Sequence, residues 1–465
     1  MTFEYPASVV PGEYAINPSA PKGSHDEKFP SFGALYPERD RYLTVDVGRY
    51  VSTDQLLRER NSLWNHTWTC AGRVSDVASV GSWFKYDLGS ESFIIVRTKN
   101  NDIRAFYNVC RHRGNQLVVT DFGKSQRFMC SFHGWQWHAD GRIAEITDRS
   151  TFRPAALCAD VNLRTVRCET WAGFIFINPD PQAAPLLEFL AEIPDLMRVY
   201  QMENMNLVKD VVIELNANWK IVLEAFLESY HLQVTHPQAK PFLDDVNYQI
   251  DTFHNGHGRL QTSIGIPSPR ERDRQSLHPG LGMFLAEAGL DPTQFEGRAM
   301  SVRSAIAGAK RNPNNPFGLD YSAFSDSQLT DDWNYSIFPN MTFNTHPEGV
   351  LVMRFLPHPT DPEKSAYHVW VLSRVLADGV RPPAYMGVEP HVDISGNTRP
   401  ARRYNPKSNP ELGEVLEQDI RNIEGVQRGL RSQSFDFNKY SEQEQRVMQL
   451  HAEIDRYIAR YPTAR

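Results

Sequence analysis

Two short loops constrain this chain more than anything else in it. Cys110-Arg-His112 is followed by 17 residues (113–129) and then by Cys130-Ser-Phe-His133. Each loop offers one soft thiolate and one borderline imidazole; thiolates suit iron–sulfur clusters, and imidazole suits iron and zinc. A zinc finger places Cys with Cys and His with His, as C-x₂₋₄-C followed by H-x₃₋₅-H. Here each loop mixes the two, which suits a [2Fe–2S] cluster with two Cys on one iron and two His on the other. Cys110, His112, Cys130 and His133 are the candidate ligands.

The surroundings read as β structure. From Trp68 to about Ile177 short β-type runs alternate with turn signals such as Lys99-Asn-Asn-Asp and Ala139-Asp-Gly. The runs include 93–98, 103–109, Leu117-Val-Val and 173–178. Residues 46–66 carry a helical stretch with Ser52 or Thr53 as cap and Leu56, Leu57 and Leu63 as its apolar face. Residues 1–45 form an arm with little structure of its own, rich in Pro, Gly and Ser, lying on a surface such as a neighbouring subunit's. Asp180-Pro-Gln-Ala-Ala-Pro reads as a linker, giving a division into 1–45, 46–180 and 181–465. Beyond it, helical patterns at 186–200 and 219–231 mix with strands at 208–213, 349–356 and 366–372, an α+β pattern. Residues 265–330 are loop-rich with a helical patch at 283–288, and the last 55 residues are strongly helical.

Composition excludes several classes. A net charge of −7 in 465 residues leaves no basic footprint for nucleic acid. No apolar run reaches the roughly 18 residues needed to span a bilayer, and the N-terminus lacks a basic stretch followed by an apolar core. A cytoplasmic protein is expected. Five cysteines in so long a chain are no disulfide framework, and Cys70, Cys158 and Cys168 read as small buried residues.

An iron–sulfur cluster moves one electron at a time and performs no substrate chemistry alone, so a second site is sought. His231 and His236 stand five apart in NWKIVLEAFLESYHLQVTHP. On a regular helix such a pair diverges by about 140°, so convergence requires the helix to end or bulge between them; Pro237 makes an ending plausible. The alternative is two satisfied surface or core imidazoles. Further on, Leu412, Leu416, Ile423, Val426 and Leu430 form a helical stripe, and Asp419 sits on it. A carboxylate on a buried face needs a cation or a metal. The competing readings are an ion pair with Arg421 or Arg428, or Glu417 as the acid, which points off the stripe. Two His and one carboxylate make the facial triad of a non-haem Fe(II) oxygenase, with His231, His236 and Asp419 as candidates.

With both motifs quoted, the chain resembles the catalytic α subunit of the Rieske non-haem iron oxygenases, the ring-hydroxylating oxygenase family. The matching features run in order from Leu43 onward: CRH and CSFHGW, NWK, Tyr230-His231 with a second His five on, Phe338-Pro-Asn, Gln418-Asp419 and Gln427-Arg-Gly-Leu. The resemblance implies an antiparallel β Rieske domain beside a helix-grip (Bet v 1/START-like) catalytic domain with C-terminal helices. It implies one [2Fe–2S] cluster and one mononuclear Fe(2+), electrons from a ferredoxin or flavin reductase, and O₂ as co-substrate. It also implies an α3 homotrimer, possibly α3β3, in which one subunit's cluster serves its neighbour's iron. The acid three residues before the first iron His bridges the two centres in that family. Here it is Glu228 rather than the usual Asp, a choice shared with some relatives acting on quaternary ammonium compounds. The expected reaction is cis-dihydroxylation or monooxygenation of a small aromatic or cyclic substrate, as in aromatic hydrocarbon catabolism. The alternative is monooxygenation of a choline-, betaine- or carnitine-type compound, or N-/O-demethylation. Phe226, Leu227, Leu243, Phe343 and Phe355 are expected pocket walls. A pure electron-transfer protein and a zinc-binding interaction module are the rival classes.

Overall fold

The computed structural model describes residues 29–405 and 413–462. Most of the expected arm lies outside them, as does Leu412 of the apolar stripe. Residues 29–46 do not remain an unstructured arm: Phe32, Tyr36 and Tyr42 pack on Met448 and Ala452 of this chain's own C-terminal helix. The Tyr36 hydroxyl donates to Glu453 (3.0 Å) and that of Tyr42 to Asp455 (3.0 Å). Aromatic spacing, invisible to a composition argument, gives this segment its surface to bury.

The N-terminal β domain is a seven-stranded antiparallel sheet, in spatial order Thr69–Arg73, Phe174–Asn178, Thr165–Trp171, Ile103–Tyr107, Glu91–Arg97, Ser82–Leu88 and Phe122–Lys124. A three-stranded sheet of Arg127–Met129, Gln136–His138 and Ile143–Glu145 carries the second cluster loop. Leu117-Val-Val is not a strand. The Asn108 side chain accepts the Leu117 and Val118 N–H groups (both 3.0 Å), pinning the segment as a loop. Val119 is 75% exposed. In the helical stretch before the domain, Ser52 caps Thr53–Arg58 and Leu56 and Leu63 are buried, but Leu57 faces solvent. Of the three remaining cysteines, Cys158 is exposed and not buried as expected.

The catalytic sheet has eight strands, in order Gln249–Thr252, Gly258–Thr262, Asp332–Ile337, Met341–His346, Gly349–Pro357, Ser365–Ser373, Asn206–Leu215 and Arg403–Asn405. All neighbours are antiparallel except the last pair. This is the helix-grip arrangement, with Gln445–Arg460 as the long helix: Val447, Leu450 and Ile454 enter the main core, and Gln449 donates to the Phe253 and His257 carbonyls. Residues 265–330 are more helical than expected, with helices Pro279–Glu287 and Val302–Lys310. The 186–200 pattern is broken into short helices at Ala191, whose φ is +49°. No helix among the described residues is long and apolar enough to cross a membrane.

The register separates the two sheet faces. Phe343, Val352 and Trp370 are cross-strand partners on one face, and Phe343 lies edge-on to Trp171 and Phe174 of the β domain. Phe343 therefore faces the domain junction and not the site expected for it. On this face Arg354, 2% exposed, donates to the Cys70 and Ala71 carbonyls (2.9 and 3.0 Å) and stacks on Trp370 at 3.8 Å. The opposite face carries Met353, Phe355 and Tyr367 together with Asp332, Asn334, Ser336, Thr342 and Asn344.

The Asn-Trp-Lys motif anchors the segment that leads to the site. Asn218 caps Trp219–Glu224 through the Lys220 N–H. The Lys220 ammonium, 1% exposed, sits 2.7 Å from Glu59, which also accepts from the Trp219 indole (3.0 Å). Burial pulls the Lys220 pKa down, against the attraction of Glu59. Removing one partner of a buried pair strands the other charge. Glu59→Gln is expected to cost about 3–5 kcal/mol in a denaturant titration, whereas Glu59→Leu with Lys220→Met recovers most of the loss.

Candidate metal centres

The two cluster loops are near copies in backbone geometry. The Cys110 N–H donates to the Asn115 carbonyl and the Gly114 N–H to the Cys110 carbonyl (2.8 and 3.0 Å). Cys130 does the same with Trp135 and Gly134, at the same two distances. Gly114 and Gly134 have φ of +78° and +75°, a left-handed conformation that glycine adopts freely. Each sulfur receives two amide N–H groups, from His112 and Arg113 at Cys110 and from Phe132 and His133 at Cys130. Burial disfavours ionisation of both thiols; at Cys130 the amide donors outweigh it and lower the pKa, while at Cys110 burial wins.

His112 and His133 lie side by side, ring centroids 4.7 Å apart, and His112 stacks on Trp135. The His112 Nδ1 is buried without a hydrogen-bond partner. An orphaned buried imidazole nitrogen beside amide-cradled sulfurs fits a ligand atom awaiting its metal. Two loops that each bring one Cys and one His fit a two-iron cluster with thiolates on one iron and imidazoles on the other.

The group that does converge is His231, His236 and Asp419. Asp419 Oδ1 lies 3.0 Å from His236 Nε2 and 3.6 Å from His231 Nε2. The expected helix ending occurs twice. The Trp219–Glu224 helix stops ahead of His231, and a single turn, Leu232–Thr235, separates the imidazoles. His236 then leaves helical geometry (φ −121°, ψ 58°) ahead of Pro237. His236 is 1% and Asp419 4% exposed. Asp419 has no Arg partner among the described residues: Arg421 pairs with Glu417 at 3.4 Å, off the buried face. The stripe itself is rotated from the expected one, since Ile420, Ile423 and Gln427 are buried with Asp419 while Val426 is exposed.

Both imidazoles are oriented from behind. Glu228 Oε1 is 2.7 Å from His231 Nδ1, and Oε2 accepts the His231 N–H at 3.1 Å. The carboxylate thus caps the short turn rather than sharing a helix face with His231. Gln418 Oε1 lies 2.7 Å from His236 Nδ1 and also accepts from Gln238 (2.7 Å). An amide oxygen only accepts, so His236 carries its proton on Nδ1 and turns a bare Nε2 toward Asp419. Burial alone would lower the pKa of His231, but Glu228 and Asp419 raise it. Two carboxylates around two imidazoles leave the site short of positive charge, which suits a divalent cation bound by the N, N, O set. Sequence reasoning assigned Gln418 no role; its adjacency to Asp419 was the available signal.

Phe226, Phe355 and Tyr367 form a stack over the site, with centroids 5.2–5.6 Å apart. Burial, and then the charge of Asp419, hold the Tyr367 hydroxyl in its neutral form, its pKa well above the ordinary value. Leu227 is buried, and Leu243 bridges to Ile264. Farther along this face the lining turns polar: Asn344 donates to Asp332 at 2.7 Å and Asn334 to Asn344 at 3.3 Å. Burial pushes the Asp332 carboxyl up to about 7. A two-residue polar alternation in a strand ordinarily marks a solvent face; here it lines the interior.

Fold and site together define an iron–sulfur domain joined to an oxygenase catalytic domain. Residues 67–163 match the model of the Rieske [2Fe-2S] domain, and residues 202–460 that of the ring hydroxylating alpha subunit catalytic domain. The chain belongs to this family of oxygenase alpha subunits, whose two domains bind a [2Fe–2S] cluster and a mononuclear iron. It is 30% identical over 233 residues to the carnitine monooxygenase oxygenase subunit of Escherichia coli (strain K12), covering 49% of this chain and 60% of that protein. It is 30% identical over 216 residues to the glycine betaine monooxygenase oxygenase subunit of Pseudomonas aeruginosa (strain UCBPP-PA14), covering 45% and 49%. The chain thus spans less than two thirds of the length of these relatives. Among solved structures, the quaternary ammonium Rieske monooxygenase CntA with L-carnitine has a TM-score of 0.63 at 18% identity, over 93% of this chain and 99% of that one. Naphthalene 1,2-dioxygenase from Rhodococcus sp. gives 0.61 at 17%, over 93% and 98%. At these identities the structural likeness speaks for the fold.

Residues that orient metal-bound histidines typically change metal affinity about 10–100-fold when removed. Gln418→Leu is expected to weaken mononuclear iron retention by about that factor, read as iron lost to a mild chelator, with the cluster's visible absorbance unchanged.

Proposed function

We propose that this chain is the oxygenase component of a multicomponent system that uses O₂ and electrons from a ferredoxin or flavin reductase to monooxygenate a quaternary ammonium compound. The observation that carries the oxygenase reading is the convergence of His231, His236 and Asp419 on one point, with both outer nitrogens already engaged. The substrate class is supported by Glu228, by the polar lining around Asp332 and Asn344, and by the similarity to the carnitine and glycine betaine enzymes. A second reading, an aromatic substrate, is favoured by the Phe226, Phe355 and Tyr367 stack beside Asp419 and by similarity to a 2,4-dinitrotoluene dioxygenase large component.

Cys110, Cys130, His112 and His133 would hold the cluster, and His231, His236 and Asp419 the mononuclear iron. Bound there, the metals supply one-electron transfer and O₂ activation. The chain's own contribution is positional. Amide N–H groups stabilise the Cys110 and Cys130 thiolates, and Gln418 keeps the proton of His236 on the outer nitrogen. The aromatic stack keeps water from the inner side of Asp419. Glu228 fixes His231 and has the position of the family's bridging acid, so in an α3 trimer it would accept a hydrogen bond from a neighbouring subunit's cluster imidazole. Exposed apolar side chains at both ends fit such a contact: Met129 and Phe132 (each 58% exposed) at the cluster tip, Tyr230 (50%) and Val234 (73%) beside the iron site. The domain division proposed near Asp180 separates these two ends.

Incubating the reconstituted system with carnitine, glycine betaine, choline and a panel of arenes, and following O₂ uptake and product mass, tests the substrate class. Products from arenes alone would overturn it. Asp419→Ala should retain the cluster's absorbance and EPR signal yet lose the mononuclear iron and all turnover. Glu228→Gln should keep both metals while reoxidation of the reduced cluster, with substrate and O₂ present, slows by at least tenfold; an unchanged rate rules out the bridge.

A further inference from the structure

On the sheet face that bears the iron triad, the 265–330 segment folds over one end and lines a partly open pocket of about 90 Å³, room for several waters or one compact branched group. Phe284, Phe317 and Tyr385 supply aromatic wall, and Glu287, Lys310 and His346 supply the polar atoms. The cavity is tied to the triad segment: Phe284 packs edge-on against Phe242 at 5.5 Å. Phe242 donates its N–H to Ala239, which in turn donates to His236.

The charges there are unequal. Lys310 is already answered, its ammonium 2.8 Å from Glu348 Oε1 and 2.8 Å from the Leu329 carbonyl. Glu348 also accepts the Tyr321 and Tyr385 hydroxyls. His346 carries no charge, since burial pushes its pKa down to about 4. Glu287 is the less engaged acid: one oxygen accepts the Ala384 N–H at 2.8 Å, no ion pair reaches it among the described residues, and burial raises its pKa against the Ala384 N–H and the more distant Lys310. A carboxylate in a largely apolar cavity calls for a cation. Most of the wall is apolar or aromatic, which suits a cation whose surface is methyl groups rather than N–H. Aromatic faces attract such a cation through their quadrupoles.

We infer that this cavity binds a quaternary ammonium group, with Glu287 as counter-charge and Phe284, Phe317 and Tyr385 as aromatic walls. As the recognition site for a substrate's head group, it rests on the substrate class proposed above; as a cation site it does not.

The test is equilibrium binding to the metal-loaded enzyme by calorimetry, without electron donor. Choline and its uncharged isostere 3,3-dimethyl-1-butanol are the probes. Wild type is expected to bind choline at least tenfold more tightly than the isostere. Glu287→Gln and Phe284→Leu, each checked for an unchanged melting temperature, are expected to lose at least tenfold in choline affinity. Equal affinity for the two probes, or undiminished choline binding in both variants, overturns the inference. Choline binding that depends on Glu287, with no turnover of any quaternary amine, keeps the site and sinks the substrate reading. Turnover of quaternary amines that is indifferent to both substitutions does the reverse.

Discussion

A carboxylate buried against two imidazoles sets the terms for the rest of the catalytic domain. Asp419 is 4% exposed, and no guanidinium or ammonium among the described residues lies within ion-pair distance of it. A charge so placed is costly unless paired. The backbone around it is arranged to make a metal the pair. One helix stops short of His231, a single turn carries the chain to His236, and a separate helix, Glu414–Gly429, supplies both the acid and the Gln418 amide that turns His236 inward. Each of these departures from regular structure would be unfavourable alone; together they gather three side chains able to hold a metal ion from positions 231, 236 and 419.

The same logic, with softer donors, governs the β domain. Its two loops reach a common tip and present sulfur and imidazole from each side, with amide N–H groups aimed at the sulfurs. Where the catalytic site is held by side chains in a core, the cluster site is held by main chain at an edge. Local spacing therefore specifies the cluster loops almost completely, whereas the triad depends on long-range packing.

That difference explains what could be read from the residues. The four side chains proposed to hold the cluster were legible because motif and loop geometry are both local. Asp419 was legible because a charge on an apolar stripe is anomalous, even though the stripe is rotated: Val426 faces out and Ile420 in. Phe343 misled because a strand's two faces are indistinguishable when both are buried. The Asp332, Asn334 and Asn344 row carried no signal of an interior lining, since polar alternation ordinarily marks water outside the sheet. The arm from Phe29 onward was misread because its aromatic contacts lie some four hundred positions away in the chain, on the final helix.

Arg354 has a mechanical consequence. Its guanidinium fastens two main-chain carbonyls of the β domain while lying flat on Trp370 of the catalytic sheet, and the largest apolar core runs through both halves without interruption. Such a joint has no slack for hinge motion. The separation of the two halves' working ends is built into a rigid body, and any shorter path between redox partners is a matter of how whole molecules pack together, not of one half swinging on the other. Heat should accordingly melt both halves in a single cooperative step.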